Sequence, residues 1–467
     1  MDSMSKKHPI SAYLKFLILP LIGIFAFFIN IPLPGYTVVG ATVAANSTIL
    51  VNHLTSFLRA LLWNGNIRVM PYIVLAISVY GLIDLYIRRK KHFSNAVNIV
   101  FSAAKLAGVA FVLFAVFGFG PAILHESRSL LGGGSISFFV MNNILIATTI
   151  SITLATIFLP FMLNYGLVEF VGILVRPIMR PVYRLPGRSA VILVTALLGN
   201  FSVGHIAVNK QYEEGHMTER ESLTICTGFC NPSIAFMLVL AINTGIMAHW
   251  NTFFWSAFLI TLLISFIGAR IFPLSRLPDT YAPGATPQPE NVYKKHLFKN
   301  AFAEALNVSE VSENPVRAIA QILKVTFPIL AAITMGAGFF TSIGMLLNFY
   351  TPIFEWMGLM FHPLLRLVGM PAEEITMAAT GAAISLLEVT IPSLLVSDVG
   401  QWSIHIRYMM AVIPLTSVIF LGSFVPSLIS TNLPVKFWHL LVIWLERMTL
   451  SILFAGIFSL ILFGVPG

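Results

Sequence analysis

Two ionisable residues interrupt long apolar stretches, where a charged side chain is rare and costly. Glu388 lies in the sequence SLLEVTIP, and His205 follows the sequence GNFSVG. A charged side chain at the middle of a bilayer costs about 2.5–3.5 kcal/mol on insertion scales. We therefore expect Glu388 to contact a solute, a cation or a proton, unless it pairs with an arginine or is hydrogen-bonded at a hairpin tip. His205 could bind solute or titrate, or it could be satisfied by backbone carbonyls.

Amide and hydroxyl side chains mark the same kind of interruption. Asn200 and Ser202 divide the apolar run 189–208, and Asn231 and Ser233 flank a proline within the run 221–248. Their oxygens can ligate a cation, or they can cap the free backbone groups of helix ends. We favour binding for the two asparagines. Later in the chain, an interrupted segment at 405–431 offers two more candidate solute contacts, Ser417 and Ser423.

The sequence contains no HExxH, Walker, GxSxG or paired-carboxylate motif, so we expect no enzyme activity and no cofactor beyond a coupling Na⁺ or H⁺. Cys226 and Cys230 lie four residues apart in one apolar helix. A metal or redox pair is one interpretation of that spacing, but we expect small packing residues and no metal site. Glu446 and Arg447 lie inside the last apolar run, where we expect a structural salt bridge to another helix.

Membrane helices must position these residues. The chain has 467 residues, of which 57% are hydrophobic and only 10% charged, and its mean hydropathy of +0.86 lies far above that of soluble domains. The apolar runs are long and continuous, which favours helices over the alternating strands of a barrel. The net charge of +9 comes from basic residues in short loops, which indicates membrane orientation rather than nucleic-acid binding. The sequence thus predicts a multi-pass protein of the bacterial cytoplasmic membrane, with a cytoplasmic N-terminus.

The order of the predicted elements divides the chain into four parts. Scaffold helices fill residues 1–137, with an interfacial helix at the outer surface within 36–63. A first unit at 138–272 contains an amphipathic helix at 165–183, a hairpin at 186–208 and a broken helix at 221–248. A cytoplasmic linker covers 273–316. A second unit at 317–467 contains a hairpin at 371–397 and a broken helix at 405–431.

The two units share one pattern in opposite orientations. Their hairpins begin at Pro186 and Pro371, 185 residues apart, and the basic loops put the base of the first hairpin inside and that of the second outside. Each hairpin leg of about ten residues is near 15 Å long, too short to cross a bilayer alone. The predicted fold is an all-α polytopic membrane protein with an inverted repeat, two re-entrant hairpins, two broken helices and a three-helix N-terminal scaffold. Such repeats place the solute at the midplane between them.

The sequences LLGNFSVG and FCNPSIAF, with the later Glu388 hairpin, resemble bacterial YjiH-like membrane proteins, which carry a Gate, or nucleoside-recognition, domain. The order of elements also resembles that of concentrative nucleoside transporters. This resemblance implies an elevator-type secondary transporter, often a trimer. It implies a sodium site between the first hairpin tip and the following broken helix, at Asn200, Ser202, Asn231 and Ser233. Those transporters carry a Gln-Thr-Glu cluster for the base, whereas SVGH stands near that place here.

Three functions follow from these observations. We expect a cation-coupled transporter of a small polar solute that is nucleoside-like, amino-acid-like or peptide-derived, working as a homo-oligomer (a trimer or dimer) in the lipid bilayer. A membrane structural or assembly protein that retains a transporter-like fold is the alternative, because other Gate-domain relatives act in spore maturation or iron uptake. A membrane-embedded enzyme is least favoured, since catalytic motifs are absent from the sequence.

Overall fold

The structure is a computed structural model that describes residues 8–64, 68–88, 96–126, 134–198, 201–288, 296–429 and 431–464. Within these ranges, seven helices are long and apolar enough to cross a membrane: 10–28, 99–117, 136–163, 219–243, 247–268, 315–350 and 437–463. A further apolar helix at 70–86 is shorter. The expected multi-pass helical membrane protein is confirmed. This shorter helix is one of the three predicted scaffold helices, and the predicted broken helix at 405–431 is not among the seven.

The N-terminal helices are α1 (Ile10–Phe28), α2 (Leu50–Arg59), α3 (Met70–Ile83) and α4 (Ala96–Phe117). Residues 36–49, expected within an interfacial helix, are instead extended. Strand β1 (Asn30–Leu33) pairs with β4 (Asn46–Ile49), and β2 (Tyr36–Val38) pairs with β3 (Ala41–Val43). The alternating β-branched residues of this segment favour strands, and Gly40, at a φ of 85°, supplies the left-handed turn between β2 and β3.

The first unit follows the expected order. It contains α5 (Ile136–Val140), α6 (Ala147–Leu163), the amphipathic α7 (Leu167–Ile178), α8 (Ser189–Leu198), α9 (Phe201–Glu213), α10 (Glu219–Phe229), α11 (Ile234–Asn243) and α12 (Trp250–Gly268). Helices α8 and α9 pack against each other as the two legs of the first hairpin. Helices α10 and α11 are the two halves of the first broken helix.

The second unit repeats this order after a linker that itself contains a helix, α13 (Leu297–Val311), packed on α7 and α1. The unit consists of α14 (Pro315–Tyr350), α15 (Ile353–Gly358), α16 (His362–Leu367), α17 (Ala372–Ile384), α18 (Ile391–Leu395), α19 (Ile404–Ser417), α20 (Phe424–Ile429) and α21 (Phe437–Phe463). Helices α17 and α18 form the second hairpin, and α19 and α20 form the second broken helix.

Contacts at the two ends of the molecule show that the units point in opposite directions. At one end, Asn432, which follows the second broken helix, donates its backbone N–H to Oδ1 of Asn209, at the base of the first hairpin (2.9 Å). At the other end, Asn243, the last residue of α11 in the first broken helix, donates its Nδ2 to Oγ of Ser393 on α18 of the second hairpin (3.2 Å). Each hairpin therefore opens where the other unit's broken helix ends, as an inverted repeat requires.

The N-terminal helices pack on the first long helix of each unit. Helix α1 lies along α6, and α3 and α4 lie along α14. The crossing of α4 and α14 is very close: a Cβ on Gly108 would overlap the carbonyl oxygen of Met335, and one on Gly338 would lie 3.1 Å from the carbonyl oxygen of Gly108. Small residues at helix crossings in membranes allow this approach of two backbones. Helices α1, α3 and α4 thus brace α6 and α14, which also contact one leg of each hairpin, α8 and α18 respectively.

Candidate functional site

The first broken helix has a well-defined stop and restart. Helix α10 begins with a capping box between Thr218 and Glu221 and ends at Phe229, because Pro232 cannot continue the hydrogen-bond ladder. Helix α11 restarts with Ser233 as its N-cap, whose Oγ accepts from the backbone N–H of Phe236 (3.3 Å). The restart directs free backbone N–H groups, and the positive end of the α11 dipole, toward the centre of the molecule.

The second break is held by the tip of the second hairpin. The backbone N–H groups of Leu421 and Gly422 donate to the carbonyl oxygens of Leu386 and Leu387, at 2.8 and 2.9 Å. Irregular backbone at membrane depth persists only where protein or a watery cavity satisfies it. These two hydrogen bonds supply that satisfaction, and they fix Glu388, the next residue of the hairpin, beside Gly422.

Arg447 joins the two breaks from α21. Its Nη2 donates to the carbonyl oxygen of Thr416 at the end of α19 (2.7 Å) and to that of Gly228 at the end of α10 (3.3 Å). Its Nε donates to Thr416 as well, at 3.1 Å. The cation therefore meets the negative ends of two half-helices. The expected salt bridge of Arg447 is wrong, since within the described ranges Arg447 forms no ion pair with a carboxylate.

A pocket lies where both breaks and the second hairpin tip meet. It is nearly closed in this structure: the space between its atoms, counted out to the surroundings, is about 390 Å³, but the enclosed cavity is only about 10 Å³, room for about one water. Its polar lining is Ser233 from the first break, Glu388 from the second hairpin and Ser423 from the second break. The rest of its wall includes three phenylalanines, Phe201, Phe236 and Phe420, contributed by the first hairpin and by both broken helices.

Glu388 is the one acidic side chain lining this pocket, and the backbone N–H groups of Val389 and Thr390 point toward its carboxyl group. Its side chain is 4% exposed, and Oε1 accepts a long hydrogen bond from Oγ1 of Thr390 (3.4 Å). In the part of the chain that the structure describes, it pairs with no basic side chain. A Cβ on Gly422 would overlap Oε2, so a larger residue there would force the carboxyl group to move. A buried carboxyl beside aromatic rings can accept hydrogen bonds from a polar ring compound.

The other candidate residues do not line this pocket. Asn231 is turned toward α12, where its Nδ2 donates to Oγ1 of Thr261 (2.8 Å), while its Oδ1 is buried without a hydrogen-bond partner. Asn231 lines a second pocket, which Pro232 also lines. Ser417 returns its hydroxyl to the carbonyl oxygen of Pro414 (3.2 Å), which is a bond within its own helix.

The first hairpin contributes less to the pocket than its sequence indicated. His205 is fully buried on α9, where Nδ1 bonds Oγ of Ser427 (3.0 Å) on α20. Ser202 is half-buried on the same helix and does not line the pocket. Asn200 lies outside the described residues, so its predicted roles in solute and cation binding stay predictions.

Sequence reasoning missed the roles of the three phenylalanines and of Gly422, and it assigned Arg447 the wrong kind of partner. The phenylalanines carried no signal, because 38 phenylalanines are spread through the chain and most serve packing or lipid contact. Arg447 did carry one: a basic residue in the middle of an apolar helix demands an acceptor. Its acceptors are helix-terminal carbonyls, which exist only because both helices are broken, and no local pattern in α21 reveals them.

Comparison with known proteins gives three findings. The Gate family, described as nucleoside recognition, matches residues 144–247, a region that holds the first hairpin and the first broken helix, and it confirms the expected Gate domain. An uncharacterised protein of Alkalihalophilus pseudofirmus is 27% identical over 449 residues, covering 94% of this chain and 92% of its own.

Among solved structures, a doubly substituted CNTnw in an outward-facing state is 11% identical. That structure has a TM-score of 0.42 and covers 96% of this chain and 98% of its own. CNTnw in an inward-facing substrate-bound state is 12% identical at a TM-score of 0.39, covering 98% and 99%.

Proposed function

We propose that this protein is a secondary active transporter of a small polar solute, and that a nucleoside-like compound is the first solute class to test. The observation that carries the proposal is the pocket between the two breaks, which joins the single carboxyl group of Glu388 to an aromatic wall. A heteroaromatic ring bearing hydroxyl groups matches that lining, because rings stack on phenylalanine while hydroxyls donate to a carboxylate. The description of the Gate region as nucleoside recognition supports the same class.

The transport step in this proposal is of the elevator type and is coupled to Na⁺ or H⁺. The hairpins and broken helices carry the solute. The fixed part consists of α1, α3, α4 and α14, the helix on which α3 and α4 pack. Ser233, and the predicted Asn200, Ser202 and Asn231, remain the candidates for a coupling Na⁺, and the buried oxygen Oδ1 of Asn231 is free to accept one. A homo-oligomer in the bacterial inner membrane, with the N-terminus in the cytoplasm, completes the proposal.

Replacing Glu388 tests the pocket. We expect Glu388→Gln to abolish the rise in melting temperature that nucleosides give the purified protein, and to abolish uptake into liposomes under a Na⁺ or pH gradient. The amide keeps the size of the side chain but removes its charge. Glu373→Gln is the matched control, because Glu373 is an exposed glutamate in the first turn of the same hairpin. A Glu388→Gln protein that still binds and transports nucleosides would place the solute elsewhere.

A membrane structural or assembly protein is the second candidate. The buried Arg447 is the observation that favours it, because a cation that bonds both broken helices also makes them more rigid. The two functions differ in one measurement. If no solute from pools of nucleosides, amino acids and small peptides stabilises the wild-type protein, in Na⁺ or across pH, the transport proposal fails and the structural one gains.

A further inference from the structure

Three potential metal ligands meet behind the pocket, where the first hairpin packs on the first broken helix. A ring nitrogen of His205, on α9, and the sulfur atoms of Cys226 and Cys230 lie within 4.8 Å of one another. Cys226 is in the last part of α10, and Cys230 is the first residue after it, so the end of the helix presents both thiols to α9. All three side chains are fully buried, and both thiols are free.

The histidine is oriented as a metal ligand would be. Nδ1 bonds Oγ of Ser427 at 3.0 Å, whereas Nε2 is buried without a hydrogen-bond partner. A histidine that binds metal through one nitrogen usually gives the other N–H to an oxygen acceptor, which fixes the tautomer and the ring orientation. The ring of Phe424 stands edge-on to the imidazole, with the centroids 4.8 Å apart, and limits its rotation further. The imidazole also lies close to the backbone of Cys226, but no hydrogen bond of normal geometry reaches the buried Nε2, and buried nitrogens in that state are rare in proteins.

Charge decides which metal fits. Two thiolates and one neutral imidazole carry a charge of −2, so a divalent ion makes the buried cluster neutral, whereas a monovalent ion would leave a net charge inside the membrane. An uncompensated charge in such a medium is strongly unfavourable. Zinc prefers sulfur and nitrogen ligands, with Zn–S near 2.3 Å and Zn–N near 2.0–2.1 Å, which needs ligand atoms roughly 3.3–3.8 Å apart. The three atoms lie within 4.8 Å of one another, so shifts of about 1 Å would bring them to that spacing.

We propose that His205, Cys226 and Cys230 form a binding site for a divalent, thiolate-preferring cation of the zinc class, with Ser427 as its orienting partner. Binding releases the two thiol protons, and the metal links α9 to α10 directly and to α20 through Ser427. The fourth ligand position stays open to water or to a solute. This replaces the expectation that the two cysteines serve packing alone. The site is separate from the pocket of Glu388, and it stands whether or not the protein transports a solute.

Cobalt spectroscopy on the full-length, tag-free protein tests the site. After treatment with a chelator, we expect one Co²⁺ to bind per chain with a thiolate-to-cobalt charge-transfer band, and equimolar Zn²⁺ to displace it. The Cys226→Ser, Cys230→Ser double variant should lose the band. Ser427→Ala should keep the band and weaken binding about 10–100-fold, as loss of an outer hydrogen bond to a metal-bound histidine does. His216→Gln, which alters a histidine outside the cluster, should behave as wild type.

Two results would overturn the proposal. One is Zn²⁺ affinity in the double serine variant equal to that of wild type. The other is an X-ray absorption spectrum of the zinc-loaded wild-type protein that shows no sulfur neighbours. The second measurement needs no variant, so it decides the question even if the serine substitutions prevent folding.

Discussion

At the scale of single residues, Arg447 connects the fold to the site. Its guanidinium donates twice to the carbonyl oxygen of Thr416, which accepts from no other donor in the described part of the chain. It shares the carbonyl oxygen of Gly228 with Oγ of Ser265 (2.7 Å). We expect Arg447→Met to destabilise the protein by roughly 1–3 kcal/mol, because the methionine leaves a buried acceptor unsatisfied. Thermal unfolding in detergent measures this as a lower melting temperature.

The same measurement has two internal controls. Ser265→Ala should cost less than Arg447→Met, because Nη2 of Arg447 still reaches the carbonyl oxygen of Gly228. Arg317→Met should change little, because Arg317 is exposed in the first turn of α14. Equal melting temperatures for Arg447→Met and Arg317→Met would show that the half-helix ends do not depend on the buried cation.

At the scale of elements, the crossing of α4 and α14 holds the N-terminal helices to the second unit. We expect Gly108→Ala to lower the melting temperature clearly, because the added methyl overlaps the backbone of Met335, which cannot turn aside. Gly268→Ala is the matched control, since a Cβ at that membrane glycine meets nothing within 4 Å. If Gly108→Ala and Gly268→Ala were equally stable, α4 and α14 would be able to move apart without lowering the stability of the protein.

At the scale of the whole molecule, the inverted repeat assigns the hairpin bases to opposite sides of the membrane. We expect a cysteine at Glu214, beside the first hairpin, to react with an impermeant maleimide only when the cytoplasmic side is open. A cysteine at Asp398, beside the second hairpin, should react in intact cells. Both positions are exposed, and the Cys226→Ser, Cys230→Ser protein is the background. Labelling of both sites from the same side would contradict the inverted repeat.

Much of this architecture follows from local sequence. The lengths of the apolar runs fix the membrane helices, and the first break falls at 230–233, where Pro232 predicts it. The second lies at 418–423, within the predicted broken helix at 405–431, although Pro414 does not interrupt α19. The segment 36–49 was predicted wrongly, because in a short stretch the polar residues that indicate an interfacial helix also suit paired strands. The helix in the linker was missed for a related reason: its burial comes from α7 and α1, which are distant in sequence.

The sequence by itself determined that the chain crosses the membrane repeatedly, that two opposed units are interrupted, and that Glu388 stands at an interruption. Hydrophobicity, proline and glycine act within a few residues, so these features are local. Only the tertiary structure decided which polar groups share a pocket: Ser233 and Ser423 face Glu388, whereas Asn231 turns to Thr261. It also decided that Arg447 bonds helix-terminal carbonyl oxygens and that His205 lies beside Cys226 and Cys230. The direction of a side chain at a break depends on which neighbouring helix offers a hydrogen-bond partner. That neighbour is determined only by how the helices pack in the folded protein.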